Sequence, residues 1–372
     1  MTSQPPINSN RNRNRNKKED ERSKTIRRKR SSSYWEPIYD PQFAGTTNEF
    51  DWSTTQKTGV KKSLCKSSIL KSKQDGLNAR GWTIKSFDFI ECDFSGEFHP
   101  TLSFNGCLFE KCDFGFTTWR GTKFSNCTFN KCSFTMVTFE QCIFHNCIWE
   151  ETGMSGTETK LFDTIIGNPK SFINSGYTNT DQHILKQKGN TTPEYQLLRL
   201  EETKVKLARL VLSNNERNAE DSVYYESIQV YLIQSIKARS AKALFKIKSK
   251  NNRIKSLFAL IFSEFEKNLI SISGAINGWG GNIGRAALFG VTIIFIYALI
   301  YTFVNFEGFV ASPWKLSIIK SLDISLLIGY TKHATTALNW KVQTLYGINA
   351  LLGLWWYAIF VPTVINRICR VR

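Results

Sequence analysis

Phe124-Ser125-Asn126-Cys127-Thr128-Phe129-Asn130-Lys131-Cys132-Ser133-Phe134 sets an aromatic residue at every fifth position and a cysteine two positions before it. The beat extends far to both sides. Phe89, Phe94, Phe104, Phe109, Phe114, Trp119, Phe124, Phe129, Phe134, Phe139, Phe144 and Trp149 all fall on it, and only His99 breaks the series. Cys92, Cys107, Cys112, Cys127, Cys132, Cys142 and Cys147 hold the slot two residues earlier, with Leu102, Thr117, Thr122 and Val137 in other such slots. A period of five fits neither the alternation of a strand nor the turn of about 3.6 residues of a helix.

This pattern resembles the pentapeptide-repeat family. The resemblance implies a right-handed, four-sided β-helix over residues 86–155, with one pentapeptide per side and about twenty residues per coil. That gives a little over three coils, stacked at about 4.8 Å like paired strands. In such a fold the twelve aromatic centres and the cysteines, among them Cys107, Cys112, Cys127, Cys132, Cys142 and Cys147, point inward and form the core. Glu110, Lys111, Asn130 and Lys131 then face solvent. Nine cysteines in one chain would otherwise suggest disulfides, but seven share this one register, where Cys serves as a small apolar filler. A thiolate metal site is not expected, because neighbouring cysteines five residues apart belong to different faces and lack the short spacing of a zinc loop. Relatives that mimic DNA need a strongly acidic surface, whereas these repeats carry nearly balanced charge.

Outside the repeats the composition changes twice. Residues 1–85 are polar and basic, with eleven Lys or Arg between Arg11 and Arg30 against only Glu19, Asp20 and Glu21. Such a segment buries too little surface to offset its chain entropy and is expected to be largely disordered. It holds no apolar core of the kind a translocon reads, so the N-terminus is expected in the cytoplasm. The net charge of +18 therefore resides partly in a solvated tail. A linker follows the repeats over 156–190. Thr191-Thr192-Pro193-Glu194 then carries the pattern of a capping box with proline in the first turn. Leu197, Leu200, Leu207, Leu210 and Val211 make one helical stripe that ends at Ser213-Asn214-Asn215, and Tyr224, Ile228, Tyr231 and Leu232 make a second. The region 191–283 reads as a helical hairpin and a juxtamembrane segment. Eight Lys or Arg lie between Lys237 and Lys255 with no acid among them, a cluster that suits an anionic leaflet. Leu257, Leu260, Ile261, Phe265 and Leu269 beyond it suit an interfacial helix.

Residues 284–372 read as a two-span membrane domain. Ala286 to Phe306 is uncharged over 21 residues and Val342 to Asn366 over 25, each long enough to cross a hydrocarbon core of about 30 Å. Arg285 precedes the first run, and Arg367, Arg370 and Arg372 follow the second, which puts both termini in the cytoplasm. Between them, the stretch from Leu316 to Tyr330 is too short to cross and ends at a glycine, as a re-entrant loop would.

Here the chain resembles bacterial pentapeptide-repeat proteins with a two-helix ion-channel domain related to potassium channels. The resemblance rests on Gly278-Trp279-Gly280, on Gly284-Arg285, on the run Tyr297 to Tyr301 and on Leu351-Leu352-Gly353-Leu354. It implies that Leu326, Leu327, Ile328, Gly329, Tyr330, Thr331 and Lys332 form the pore and filter. Gly329 and Tyr330 keep the family pattern, but the threonine ligand, the second glycine and the terminal acid are absent, and Lys332 and His333 put positive charge at the mouth. Asn349 stands where the family often has Glu. Gly353 and Pro362 are the candidate gating hinges.

The expected architecture is thus multidomain: a pentapeptide β-helix, an α-helical hairpin linker and a two-span domain with a re-entrant loop, in a multi-pass bacterial inner-membrane protein. The expected function is a tetrameric cation pore gated or assembled through the repeats. The alternatives are a non-conducting membrane-anchored scaffold and a membrane-depolarising defence effector. The expected partners are anionic membrane lipid, ions with potassium foremost, further copies of the chain, and a protein on the repeat surface; nucleic acid is not among them. No catalytic residue, cofactor or metal is expected, since His99, His145, His183 and His333 are scattered and no phosphate-binding loop occurs.

Overall fold

The structure, a computed structural model, describes residues 50–52, 63–66, 68–71, 82–98, 102–154, 159–178, 192–249, 253–304, 312–333 and 339–370. The basic segment from Arg11 to Arg30 lies outside the described residues. The chain divides into two compact units, one ending at Glu264 and one beginning at Phe265.

The first unit is built on a β-solenoid with parallel strands on every side. One side stacks Ser63–Lys66, Phe87–Ile90, Leu108–Glu110, Thr128–Asn130 and Ile148–Glu150. The next stacks Trp82–Lys85, Leu102–Asn105, Lys123–Ser125, Ile143–His145 and Ile165–Ile166. A third holds Glu97–Phe98, Thr118–Arg120, Thr138–Glu140 and Lys160–Phe162, and the fourth is thinner, carried by bridges between Asp93, Asp113, Ser133 and Gly153. The register advances by one coil per twenty residues, so that Phe104, Phe124 and Phe144 stand in line.

Aromatic rings fill the interior in columns. Phe89 stacks on Phe109 at 5.1 Å, Phe109 on Phe129 at 4.9 Å and Phe129 on Trp149 at 4.4 Å, while neighbours within a coil meet edge to face, as Phe124 and Phe129 do at 5.7 Å. All twelve expected centres are buried. Where His99 interrupts the beat, Phe98 takes the inward position and its ring lies 3.8 Å from that of Trp119. The cysteines lie inside as well. Cys112 and Cys132 each donate to the carbonyl of the coil beneath, at Phe89 and Phe109, both at 3.2 Å. Burial pushes the Cys142 thiol up to about 12 and the Cys112 thiol well above its usual range, so these groups stay protonated at neutral pH. Two residues after each centre the chain turns a corner with a left-handed residue, φ 53° at Asn126, Lys131 and Gln141. Outside glycine this costs roughly 1–2 kcal/mol. The corner N–H groups offset that cost by bonding to the next coil, as Asn126 N does to His145 O at 2.9 Å.

The solenoid has about five turns rather than a little over three. Its outer coils lack both the aromatic and the regular spacing: Leu70, Ile84, Leu161 and Ile166 fill the core there, and Phe139 pairs with Leu161, two residues beyond the twenty-residue register. Residues 63–85 and 159–177, expected as tail and linker, thus contribute strands. The open ends are covered. At the first coil Trp52 is buried and donates from Nε1 to Lys71 O at 2.8 Å, while Phe50 meets the rings of Phe87 and Phe89 edge on. At the last coil lie helices α1 (Pro169–Asn174), α2 (Pro193–Asn218) and α3 (Asp221–Lys248), with Leu207, Ala208, Val211 and Val230 joining the aromatic core.

The hairpin differs from expectation in three respects. Thr192, not Thr191, is the N-cap, accepting from Tyr195 N at 3.3 Å, and Glu194 instead pairs with Lys248, which holds its carboxyl below its usual value. Leu197 and Leu210 are exposed. Ser213-Asn214-Asn215 does not end the helix, which runs on to Asn218. These amides dock α2 instead. Asn214 donates to Leu161 O and Thr164 O, both at 3.2 Å, and Asn215 to Ile166 O at 3.3 Å, satisfying carbonyls at the last coil.

Helix α4 (Arg253–Asn277) crosses the division between the units. The second unit then holds α5 (Ile283–Phe303), α6 (Trp314–Ser325), the single turn α7 (Tyr330–His333) and α8 (Trp340–Arg370).

The inward register predicts that Phe129→Ala costs about 3–5 kcal/mol, while Asn130→Ala changes little. Denaturant melts of the full chain, followed through the strand signal, check the difference. Burial of the ladder also predicts that of nine cysteines only Cys369, the one exposed, reacts with an aromatic disulfide reagent before unfolding.

Candidate functional site

Among the described residues, helices α5 and α8 are the two that are long and apolar enough to cross a membrane. Between them in sequence lies α6, twelve residues and so about 18 Å long, well short of the roughly 30 Å that a crossing needs. Its position is fixed by a row of hydroxyls. Ser317, Ser321 and Ser325 recur every fourth residue on one face, and all three are buried. Ser321 Oγ donates to Ile294 O of α5 at 2.8 Å. Ser325 Oγ donates to Asn349 Oδ1 of α8 at 2.8 Å, and Asn349 Nδ2 donates in turn to the Tyr301 hydroxyl of α5 at 2.9 Å. One polar chain therefore ties all three helices. In apolar surroundings such side-chain bonds join helices without any hydrophobic drive between them.

Small residues let the backbones close in. A Cβ at Gly353 would lie 2.0 Å from the Ser325 carbonyl oxygen, and one at Gly290 would lie 2.0 Å from the Trp356 ring. Gly353 thus has a packing use that does not depend on bending, and α8 runs unbroken through both Gly353 and Pro362. Beside Pro362, the Thr363 hydroxyl donates to Ile359 O at 2.7 Å and accepts from Asn277 Nδ2 at 3.1 Å.

The residues expected to form the filter are coiled, not extended. Leu326 N bonds back to Leu322 O, Leu327 N to Ile324 O and Gly329 N to Asp323 O, after which Tyr330–His333 makes a helical turn closed by Lys332 N on Gly329 O. Leu327 rather than Gly329 has the left-handed backbone, with φ 60°. A straight row of carbonyls over Leu326, Leu327, Ile328, Gly329, Tyr330, Thr331 and Lys332 is therefore not formed in this chain. Leu327 and Ile328 are exposed, and Gly329 is buried against the Asp323 side chain, 2.9 Å from where its Cβ would be.

Asp323 was not among the expected site residues, although an acid in a short apolar stretch is itself a signal. Its Oδ2 lies 3.4 Å from His333 Nε2, so the pair clasps the turn from both ends. Lys320, one helical turn earlier, holds its ammonium 4.8 Å from the Tyr346 ring centre and 5.4 Å from that of Tyr301. Lys332 is exposed at the end of the turn.

Comparison with known families bears on the solenoid. Pentapeptide repeats, in nine copies, match residues 104–148. These residues are a pentapeptide-repeat solenoid. No curated protein matches the chain.

The polar chain predicts that Ser325→Ala and Asn349→Leu interact, with a coupling energy of about 0.6–1.7 kcal/mol in a double-mutant cycle on the purified full chain. Gly353→Val is expected to lower its unfolding temperature sharply. A neutral effect of that substitution is incompatible with the close approach of α6 and α8.

Proposed function

We propose that the chain is one subunit of a homotetrameric membrane pore that carries cations, potassium among them, with the solenoid as its cytoplasmic assembly or sensing module. The observation that carries this reading is the half-length helix α6, held between two membrane-length helices by buried hydroxyls and ending in a turn that exposes Leu327 and Ile328. An anchor needs only α5 and α8. A segment that turns back at membrane depth leaves its non-helical backbone tolerable only inside protein or beside water, so further copies around an axis supply what one copy lacks. Arg285 in the first turn of α5 and Arg367 in the last turn of α8 favour cytoplasmic termini beside an anionic leaflet.

The coiled turn favours a second reading, a non-conducting scaffold that presents the solenoid to a protein partner, because its N–H groups and the Gly329 carbonyl are spent on local bonds. Current decides between the two. In planar bilayers under a salt gradient, the wild type is expected to show a cation-side reversal potential and Gly329→Val, which displaces Asp323, to lose conductance while keeping its oligomeric mass. Lys332→Asp is expected to raise cation over anion permeability, most strongly at low salt, since four charges at the mouth act over about 10 Å at 0.1 M. A tetramer that passes no current, with Lys332→Asp alike, makes the scaffold the better reading.

A further inference from the structure

Helix α4 is apolar on the wrong side for a soluble helix. Leu257, Phe258, Ile261, Phe262, Phe265 and Leu269 follow the spacing of one helical face, and all are exposed, Phe258 by 68% and Phe262 by 65%. Sequence spacing alone puts Leu260 in this stripe, but Leu260 is half-buried and Phe258 and Phe262 belong in its place. The opposite face carries Ser256, Ser263, Lys267 and Gly274. Nothing among the described residues covers the stripe. The helix cannot cross a bilayer in its own right, because Lys255, Glu264, Glu266 and Lys267 interrupt it.

Three observations identify what lies against it. The last turn of α4 is tied to α8, where Asn277 Nδ2 donates to Thr363 Oγ1 at 3.1 Å, and the Trp279 ring of the connecting turn packs back at Gly274, where a Cβ would lie 2.6 Å from it. The connection to α5 is not helical, since Gly278, Trp279 and Gly280 take φ of 59°, 60° and 99° in succession, which breaks the axis just before the crossing begins. Arg253 and Lys255, one position to either side of Ile254, are exposed and flank the apolar face, the arrangement in which long basic side chains cover apolar surface with their stems.

We infer that α4 lies in the plane of the cytoplasmic leaflet, with its phenylalanine stripe sunk into the boundary between head groups and acyl chains. The occupant of the stripe is lipid. With Arg253, Lys255 and Lys267 set against Glu264 and Glu266, the helix carries little net charge, so its depth is set by apolar burial and not by anionic lipid. The inference rests on the membrane part of the proposed function and is independent of conduction.

The test exploits the thiol ladder. With Cys369→Ser the remaining cysteines are buried, and a nitroxide can be placed at Phe258→Cys, Phe262→Cys, Phe265→Cys or the flanking Ala259→Cys in the full chain, with Leu288→Cys of α5 and Leu354→Cys of α8 as references. In nanodiscs of phosphatidylcholine, with and without phosphatidylglycerol, collision with oxygen is compared with collision with a water-soluble nickel chelate. Labels at 258, 262 and 265 are expected to favour oxygen, at a depth of roughly 5–10 Å, in both lipid mixtures, while 259 favours nickel. Nickel access at 258, 262 and 265 equal to that at 259, with Leu288 and Leu354 positions oxygen-rich, overturns the inference and spares the membrane reading. Spin–spin broadening at 262 overturns it in favour of a second copy of the chain. Nickel access at the two reference positions sinks both.

Discussion

Everything in the first unit depends on a ring in one coil finding the ring of the coil twenty residues away. A single coil cannot bury its own aromatic residues, because four side chains pointing at one axis leave their faces open above and below. Stacking closes those faces, at 5.1 Å between Phe104 and Phe124 and 4.8 Å between Phe124 and Phe144, and the parallel ladders follow from that spacing. The cysteines fit between the columns since each needs only one acceptor, and the coil below supplies it. Left-handed corners at residues other than glycine are the strain that the stacking has to overcome.

A stack of this kind has two raw ends, and the rest of the unit answers to them. Phe50 and Trp52 close one with aromatic surface; α2 closes the other with Leu207, Ala208 and Val211 and with amides from Asn214 and Asn215, and α3 adds Val230. The second unit solves a related problem by other means. There a chain of hydroxyl and amide groups through Ser325, Asn349 and Tyr301 ties α5, α6 and α8, and fixes α6 where apolar packing alone would let it slide.

The repeating interior was legible because each turn states the same requirement anew, and an error at His99 is corrected by its neighbours. The end coils were not, because Ile84, Leu161 and Ile166 are ordinary core residues and small insertions destroy the beat. Asn214 and Asn215 read as a helix break for a sound reason: amides usually compete with helical bonds, and only the carbonyl edge of a coil 50 residues away gives them another use. In the second unit, the shortness of α6 announced itself in an apolar stretch too brief to cross a bilayer. The serine row did not announce itself, since Ser317, Ser321 and Ser325 look the same whether they face water or a buried carbonyl. The turn over Leu326 to Lys332 is gripped from outside its seven residues by Asp323 and His333, and the pattern of those seven carries no information about either.

The cap on the last coil has a cost in time. Ile166 is made long before Lys248, and at elongation rates of about 5–20 residues per second the interval is on the order of ten seconds. Throughout it the growing chain presents the parallel strand edge at Ile165–Ile166, with the Leu161 and Ile166 carbonyls that α2 later satisfies, to whatever is near. Another nascent copy on the same message carries the same register and would fit that edge. The ribosome, by the time it supplies the hairpin that covers the edge, is close to producing Ile283–Phe303, the first helix long and apolar enough to cross a membrane, so the seal on the solenoid and that apolar run come off the ribosome almost together.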